Sequence, residues 1–78
     1  MGPRDKPKKA LLAFGQRVRE ARHDMDWTLE DLAEVSGLHW TYVGQVERGR
    51  RNISLLNILR LAEALDINPS ELVDRLRP

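Results

Sequence analysis

Three arginines close together in the chain are the side chains best suited to binding another molecule. Arg48, Arg50 and Arg51 all lie within one four-residue stretch. A guanidinium group presents a planar fork of donors that binds a phosphate group or a guanine edge through two parallel hydrogen bonds. The cluster therefore indicates a phosphate-bearing ligand such as nucleic acid, with an ordinary solvated loop as the alternative.

The sequence offers no arrangement of residues suited to catalysis or to metal binding. It has no Cys, which excludes a thiolate nucleophile, a disulfide and a Cys-based zinc site. Its two histidines, His23 and His39, are 16 positions apart and lack the spacing of a helical metal site. No Ser/His/Asp set, glycine-rich phosphate loop or paired-carboxylate cleft stands out. We therefore expect a protein that is not an enzyme and that uses no metal, cofactor or small-molecule ligand.

The charges are unevenly distributed along a chain whose net charge is only +1. Residues 1–22 contain seven basic and two acidic residues, whereas residues 23–47 contain six acidic residues and no Lys or Arg. This distribution favours one basic face on a nearly neutral molecule, although ordinary solvated charges would give the same counts.

Length and composition indicate one small globular domain. The chain has 78 residues, of which 41% are hydrophobic and 32% charged. No apolar run approaches the roughly 18 residues of a membrane span, and the N-terminus lacks the apolar stretch of a secretory signal. We expect a cytoplasmic protein with a flexible basic tail over residues 1–9 and a folded domain over residues 10–78.

The apolar spacing predicts an all-α fold of five short helices. The first, over about residues 8–22, presents Leu11, Phe14, Val18 and Ala21 on one face. The second is capped by Thr28 with Asp31 and ends at Gly37, and the third runs from about His39 to Arg48 and stops at Gly49. Ser54 caps the fourth, and the run Asn68-Pro69-Ser70-Glu71 starts the fifth.

The second and third predicted helices have the spacing of a helix-turn-helix. Ala33 supplies a small residue where the helices approach, and Gly37 follows four positions later at the turn. Val43 and Val46 then place branched apolar residues on the inner face of the third helix. The steep crossing of such a pair lets the third helix protrude, so that it can enter the major groove of DNA.

Four segments carry a family resemblance over about residues 10–76. They are Trp27-Thr28-Leu29-Glu30-Asp31-Leu32-Ala33, Ser36-Gly37-Leu38, Thr41 to Gly49, and Leu61-Ala62-Glu63-Ala64-Leu65. On these residues the chain resembles the Cro/C1-type (XRE-type) helix-turn-helix DNA-binding proteins. The run from Glu47 to Ser54 looks most like the small controller proteins of restriction–modification systems. The resemblance implies a five-helix, lambda-repressor-like bundle.

The resemblance also implies roles for individual residues. Base contacts are expected from Trp40, Thr41, Gln45 and Arg51, with Gln45 suited to adenine and Thr41 to a thymine methyl group. Contacts to the DNA backbone are expected from Thr28, Tyr42, Arg48, Arg50 and Asn52, although Tyr42 could instead simply cover its helix. Arg22 and Glu47 occupy positions that often form a partly buried ion pair between the first and third helices.

Several residues depart from the family pattern. Leu29 stands where a Gln usually contacts the DNA backbone, and Gly44 where Ser is frequent. Glu30 and Asp31 place negative charge beside an expected phosphate site. Trp40 replaces a residue that is commonly polar or Arg. It is suited to packing on thymine methyl groups or on the sugar edge, with a lid over the core as the alternative.

The last two predicted helices are more apolar than one internal face requires. The excess predicts a homodimer interface made by Leu55, Leu56, Leu72, Val73 and Leu76, with a well-covered core as the alternative. We therefore expect a homodimeric, sequence-specific transcription regulator that binds double-stranded DNA at a roughly palindromic operator. Autoregulation follows from the controller resemblance. The alternative is a protein-interaction module, such as an antitoxin-like partner, that binds a protein through the third helix and Trp40.

Overall fold

In the computed structural model, which describes residues 8–78, those residues form five helices and no strand. The all-α prediction is therefore confirmed. Residues 1–7 of the predicted tail lie outside the described residues, and Lys9 already belongs to the first helix. The helices are α1 (Lys9–Asp24), α2 (Leu29–Ser36), α3 (Trp40–Glu47), α4 (Leu55–Ala64) and α5 (Ser70–Val73).

Local hydrogen bonds fix the ends of α2 and the start of α3. The Thr28 hydroxyl accepts from the Asp31 N–H at 3.1 Å, and the Asp31 carboxylate accepts from the Thr28 N–H at 2.8 Å, which completes the predicted capping box. Gly37 ends α2 with a φ of 73°, a left-handed conformation that favours glycine. His39 caps α3, because its Nδ1 accepts from the Thr41 N–H at 3.1 Å.

The start of α5 follows the predicted pattern with a shift of one residue. The Asn68 side chain accepts from the Ser70 N–H, and the Glu71 carboxylate accepts from the Asn68 N–H, both at 3.0 Å. Pro69 has helical backbone angles, but the helix itself covers only Ser70–Val73. This short helix packs against α1, so the C-terminal end of the described chain closes over the first helix.

A single cluster of buried apolar side chains joins the helices. Leu32, Ala33, Val43 and Val46 belong to it, whereas Leu29 and Trp27 pack against the cluster and stay half-buried. Helix α3 contacts both α1 and α2. Burial of each large apolar side chain stabilises the folded state by roughly 1.5–3 kcal/mol. The core therefore holds α3 in one orientation. The buried members are Phe14, Val18, Leu32, Ala33, Val43, Val46, Leu61, Ala62, Leu65 and Leu72.

Candidate nucleic-acid interface

Helix α3 has one buried side and one accessible side. Val43 and Val46 are almost completely buried between α1 and α2. Trp40 and Thr41 are exposed, and Gln45 is half-buried. Thr41 and Gln45 are one turn apart and therefore lie next to each other on the helix surface. The structure thus leaves the three α3 residues predicted to contact bases accessible to a ligand.

The exposed indole of Trp40 stacks on the imidazole of His39. The ring centroids are 5.9 Å apart and the ring planes are inclined by 25°. Trp40 is 53% exposed and does not pack against the core cluster, which excludes the alternative of a lid over the core.

A partly buried ion pair ties α3 to the end of α1. The Arg22 guanidinium donates from Nε and Nη2 to the two carboxylate oxygens of Glu47, at 2.8 and 2.9 Å, and from Nη1 to the Trp27 carbonyl oxygen at 2.9 Å. The two side chains are only 11% and 6% exposed. Hydrogen bonding to Glu47 raises the pKa of Arg22 above its ordinary value, against the lowering effect of burial. All three nitrogens of the Arg22 guanidinium therefore donate within the protein, and its charge is paired with Glu47 instead of a phosphate group.

Gly15, which was not among the predicted site residues, sets the distance between α1 and α3. A Cβ atom at this position would clash with the carbonyl oxygens of Val46 and Glu47. These are backbone atoms at the end of α3, so only a glycine allows the observed approach. The sequence did contain a signal for this contact, because Gly15 follows Phe14 on the apolar face of α1. A glycine inside a helix costs stability and usually has a packing reason.

Two departures from the family pattern, Leu29 and Gly44, fit together in space. A Cβ atom on Gly44 would lie 3.2 Å from Leu29 Cδ2 and 3.5 Å from the Arg48 guanidinium. Leu29 packs against the core cluster in the space that the missing side chain leaves. The glycine thus lets an apolar residue seal the junction of α2 and α3, and it lets the Arg48 side chain lie over α3.

Tyr42 connects the loop after α3 with α4. The Arg51 guanidinium lies 5.0 Å from the centre of the Tyr42 ring, within the range of a cation–π interaction. The Tyr42 hydroxyl accepts from Asn57 Nδ2 at 3.1 Å, and the Asn57 side-chain oxygen accepts from Arg60 Nη1 at 2.8 Å. Tyr42 therefore both covers its helix and holds Arg51, a role that sequence reasoning did not assign to it.

The predicted backbone-contacting residues differ in how free their side chains are. Arg48, Arg50, Arg51 and Asn52 are exposed, and none of these three arginines forms a salt bridge to a carboxylate within residues 8–78. The Thr28 hydroxyl accepts within the capping box, and the Asp31 carboxylate occupies the Thr28 N–H. A carboxylate thus already sits at the start of α2, where a phosphate group was expected. The loop arginines are therefore the stronger candidates for phosphate contacts.

The apolar surface of α4 and α5 differs from the predicted set. Leu72 is only 1% exposed and belongs to the core, because α5 turns it onto α1; it offers no surface to a partner. Leu76 is half-buried against the same core. Leu59, which follows Leu55 and Leu56 by about one turn, is exposed and was missed. The exposed apolar side chains of these two helices are Leu55, Leu56, Leu59 and Val73.

Two further kinds of site are absent from the part of the chain that the structure describes. No group of three or more Asp, Glu or His side chains is arranged to hold a metal ion. None of the five helices is both long and apolar enough to cross a membrane.

Comparison with known proteins identifies the architecture. The helix-turn-helix family model HTH_3 matches residues 18–72, which include the whole of α2, α3 and α4. The chain belongs to this family. It is accordingly a helix-turn-helix DNA-binding transcription regulator of the XRE type, and its relatives are regulators and not enzymes.

Individual relatives include restriction–modification controller proteins. This regulator is 44% identical over 64 residues to the control protein C.BamHI of Bacillus amyloliquefaciens, covering 81% of this chain and 79% of that protein. The crystal structure of the controller protein C.AhdI from Aeromonas hydrophila matches with a TM-score of 0.82 and 57% identity, over 83% of this chain and 98% of that one.

A third match was solved with DNA bound. The structure of SinR, a regulator of biofilm formation from Bacillus subtilis, in complex with DNA has a TM-score of 0.75 and 29% identity. The similarity covers 78% of this chain and 98% of the SinR chain. The helix-turn-helix and its similarity to controller proteins were both predicted from the sequence, and both predictions are confirmed.

Proposed function

We propose that this regulator binds a roughly palindromic operator as a homodimer and controls transcription from it, including transcription of its own gene. The observation that carries the proposal is the accessible side of α3 beside an arginine cluster that has no carboxylate partner among residues 8–78. In this arrangement Trp40, Thr41 and Gln45 face the base edges, and Arg51 reaches a guanine or a phosphate group.

The arginines supply the backbone contacts. Arg48 and Arg50 bind phosphate groups, with Asn52 and the remaining donor of the Thr28 hydroxyl as neutral contacts. Arg22 and Glu47 take no part in binding, because each satisfies the other inside the protein. Their role is to hold α3 at the angle at which it enters the groove.

The dimer follows from the exposed apolar side chains of α4 and α5. Leu55 and Leu56 are 70% and 65% exposed, and Leu59 and Val73 are exposed as well. A symmetric dimer places two copies of α3 in successive major grooves, about 34 Å apart. It also doubles the number of contacts, which a single module of this size needs for specific binding. Because dimerisation and DNA binding are coupled, occupancy of the operator rises steeply with protein concentration.

The relatives support the same proposal. SinR was solved in complex with DNA, and C.BamHI and C.AhdI are named as control proteins. A controller-like role implies that the protein acts in the cytoplasm, at the nucleoid, and regulates its own operon. The concentration of the regulator itself then controls transcription, in the place of a small-molecule effector.

Selection of binding sites from a random duplex library, at near-physiological salt, tests the proposal. We expect an enriched motif with two-fold symmetry and half-sites one helical turn apart. Gln45→Ala should change the preferred base at one position in each half-site, whereas Glu34→Ala, on the exposed side of α2, should leave the motif unchanged. A folded protein that enriches no sequence, or a Gln45→Ala variant with an unaltered motif, contradicts the assignment.

The exposed Trp40 also favours a second candidate function, the binding of a protein through α3. Salt separates the two functions. Binding to DNA through several arginines weakens steeply between 50 and 200 mM salt, by roughly a thousandfold for six phosphate contacts. An apolar interface centred on a Trp lacks this dependence.

A further inference from the structure

His39 and Trp40 form an exposed aromatic pair at the leading end of α3. The two rings are stacked, and more than half of the Trp40 side chain is accessible. A large apolar ring in this position gains nothing from the core, with which it is not packed. The pair therefore presents a flat apolar surface outward from the first turn of the helix that carries the DNA contacts.

The pair is held in a defined orientation. Nδ1 of His39 accepts the Thr41 N–H, so the imidazole plane is fixed relative to the start of α3. The indole lies against that ring with an inclination of only 25°. Because the cap orients the imidazole and the imidazole orients the indole, the apolar surface is preorganised before any ligand arrives.

The major groove contains one apolar feature that matches such a surface. Among the four bases only thymine carries a C5-methyl group, while every other edge there presents donors and acceptors. A cytosine methylated at C5 carries the same group on the equivalent carbon. An aromatic face can bury this methyl group without leaving a polar atom unpaired.

We propose that the His39–Trp40 pair contacts the C5-methyl group of a pyrimidine in the operator, so that binding depends on that methyl group. The inference rests on the proposed DNA-binding function and deepens it. Two consequences follow: the half-site contains a thymine beneath Trp40, and a cytosine at that position is bound more tightly once it is methylated at C5. The affinity for a site that carries cytosine in place of this thymine thereby depends on whether that cytosine is methylated.

Operator duplexes that differ by single methyl groups test the proposal. Each thymine of the selected site is replaced in turn by deoxyuridine, which keeps base pairing and removes only the methyl group. We expect one position per half-site at which affinity falls by about fourfold for each methyl group removed, the value of one buried methylene. At the same position, 5-methylcytosine should bind more tightly than cytosine by a similar factor.

Variants connect the effect to the aromatic pair. In Trp40→Ala both methyl effects should shrink to less than twofold, while circular dichroism shows an intact fold because the side chain is exposed. Val35→Ala removes a similarly exposed apolar side chain, 57% accessible, from the outer side of α2 and should keep both effects.

Each contrary outcome has a distinct meaning. Equal affinity for thymine and deoxyuridine at every position, in a protein that selects a specific site, overturns this inference alone. Methyl effects that persist in Trp40→Ala overturn the assignment to the pair. A protein that selects no DNA site overturns both this inference and the proposed function, and then makes a protein partner the occupant of the Trp40 surface.

Discussion

Removing one partner of the Arg22–Glu47 ion pair should cost this protein much of its stability. In Glu47→Ala two guanidinium donors lose their acceptors in a site where Arg22 is 11% exposed. Breaking a buried pair in this way costs about 3–5 kcal/mol. The free energy of unfolding expected for 78 residues is about 4–12 kcal/mol. A loss of 3 kcal/mol lowers the melting temperature by about 12 °C or more.

Urea and thermal denaturation, followed by circular dichroism, measure the effect. The singles Glu47→Ala and Arg22→Ala should each be strongly destabilised. The double variant Arg22→Met with Glu47→Leu should recover to within about 1–2 kcal/mol of the original, because no buried charge is left unpaired. Glu34→Ala, an exposed carboxylate on α2, serves as the control and should shift stability by less than about 0.5 kcal/mol.

The same variants test whether the pair is structural. The double variant should keep the salt dependence of DNA binding, since neither side chain contacts a phosphate group. Single variants that cost less than about 1 kcal/mol, the value of a solvated surface pair, would refute the energetic reasoning. A double variant that folds but loses part of its salt dependence would refute the assignment to a structural role.

Three further predictions concern the helix approach, the phosphate contacts and the dimer. Gly15→Ala should lower the free energy of unfolding, measured by urea denaturation, by about 2–3 kcal/mol because the new Cβ meets the backbone of α3. Alanine normally favours a helix over glycine, so unchanged or higher stability would contradict the close approach of α1 and α3. Arg50→Gln should reduce the slope of log affinity against log salt by about 2 per dimer, whereas Arg19→Gln on α1 should not; equal slopes would remove Arg50 from the phosphate contacts. Leu56→Glu should raise the dissociation constant of the dimer, followed by light scattering, by at least about a hundredfold without unfolding the chain, whereas Val35→Glu should leave it unchanged. A dimer that persists in Leu56→Glu would place the interface elsewhere.

The sequence predicted the elements of the fold well because their signals are local. A capping box needs only Thr28 and Asp31 at the right spacing, and a helix that ends on a residue in the left-handed conformation needs only Gly37. The buried faces followed from periodicity, which is why Val43 and Val46 were placed correctly. The first residue of α3 was placed one position early, because the His39 side chain can cap the helix that it was expected to begin.

Features that depend on the approach of distant segments were not predictable in the same way. Gly15 matters because the end of α3 lies against it, more than 30 residues later in the chain. Leu72 looked available to a partner because periodicity cannot tell which neighbour covers an apolar side chain in a helix of four residues. Leu59 was missed for the related reason that a buried and an exposed apolar position look alike in a helix as apolar as α4.

The hydrogen bond from Asn57 to Tyr42 links the two surfaces that the proposed function requires. Asn57 lies on α4 between Leu56 and Leu59, two leucines of the proposed interface. Its side chain holds the Tyr42 hydroxyl, and the Tyr42 ring holds Arg51. In the proposed dimer, α4 would therefore carry both the interface leucines and the residue that positions an expected base contact. Both contacts lie within one chain, so Arg51 is oriented before it meets DNA, and the ordering cost of its proposed base contact is lowered.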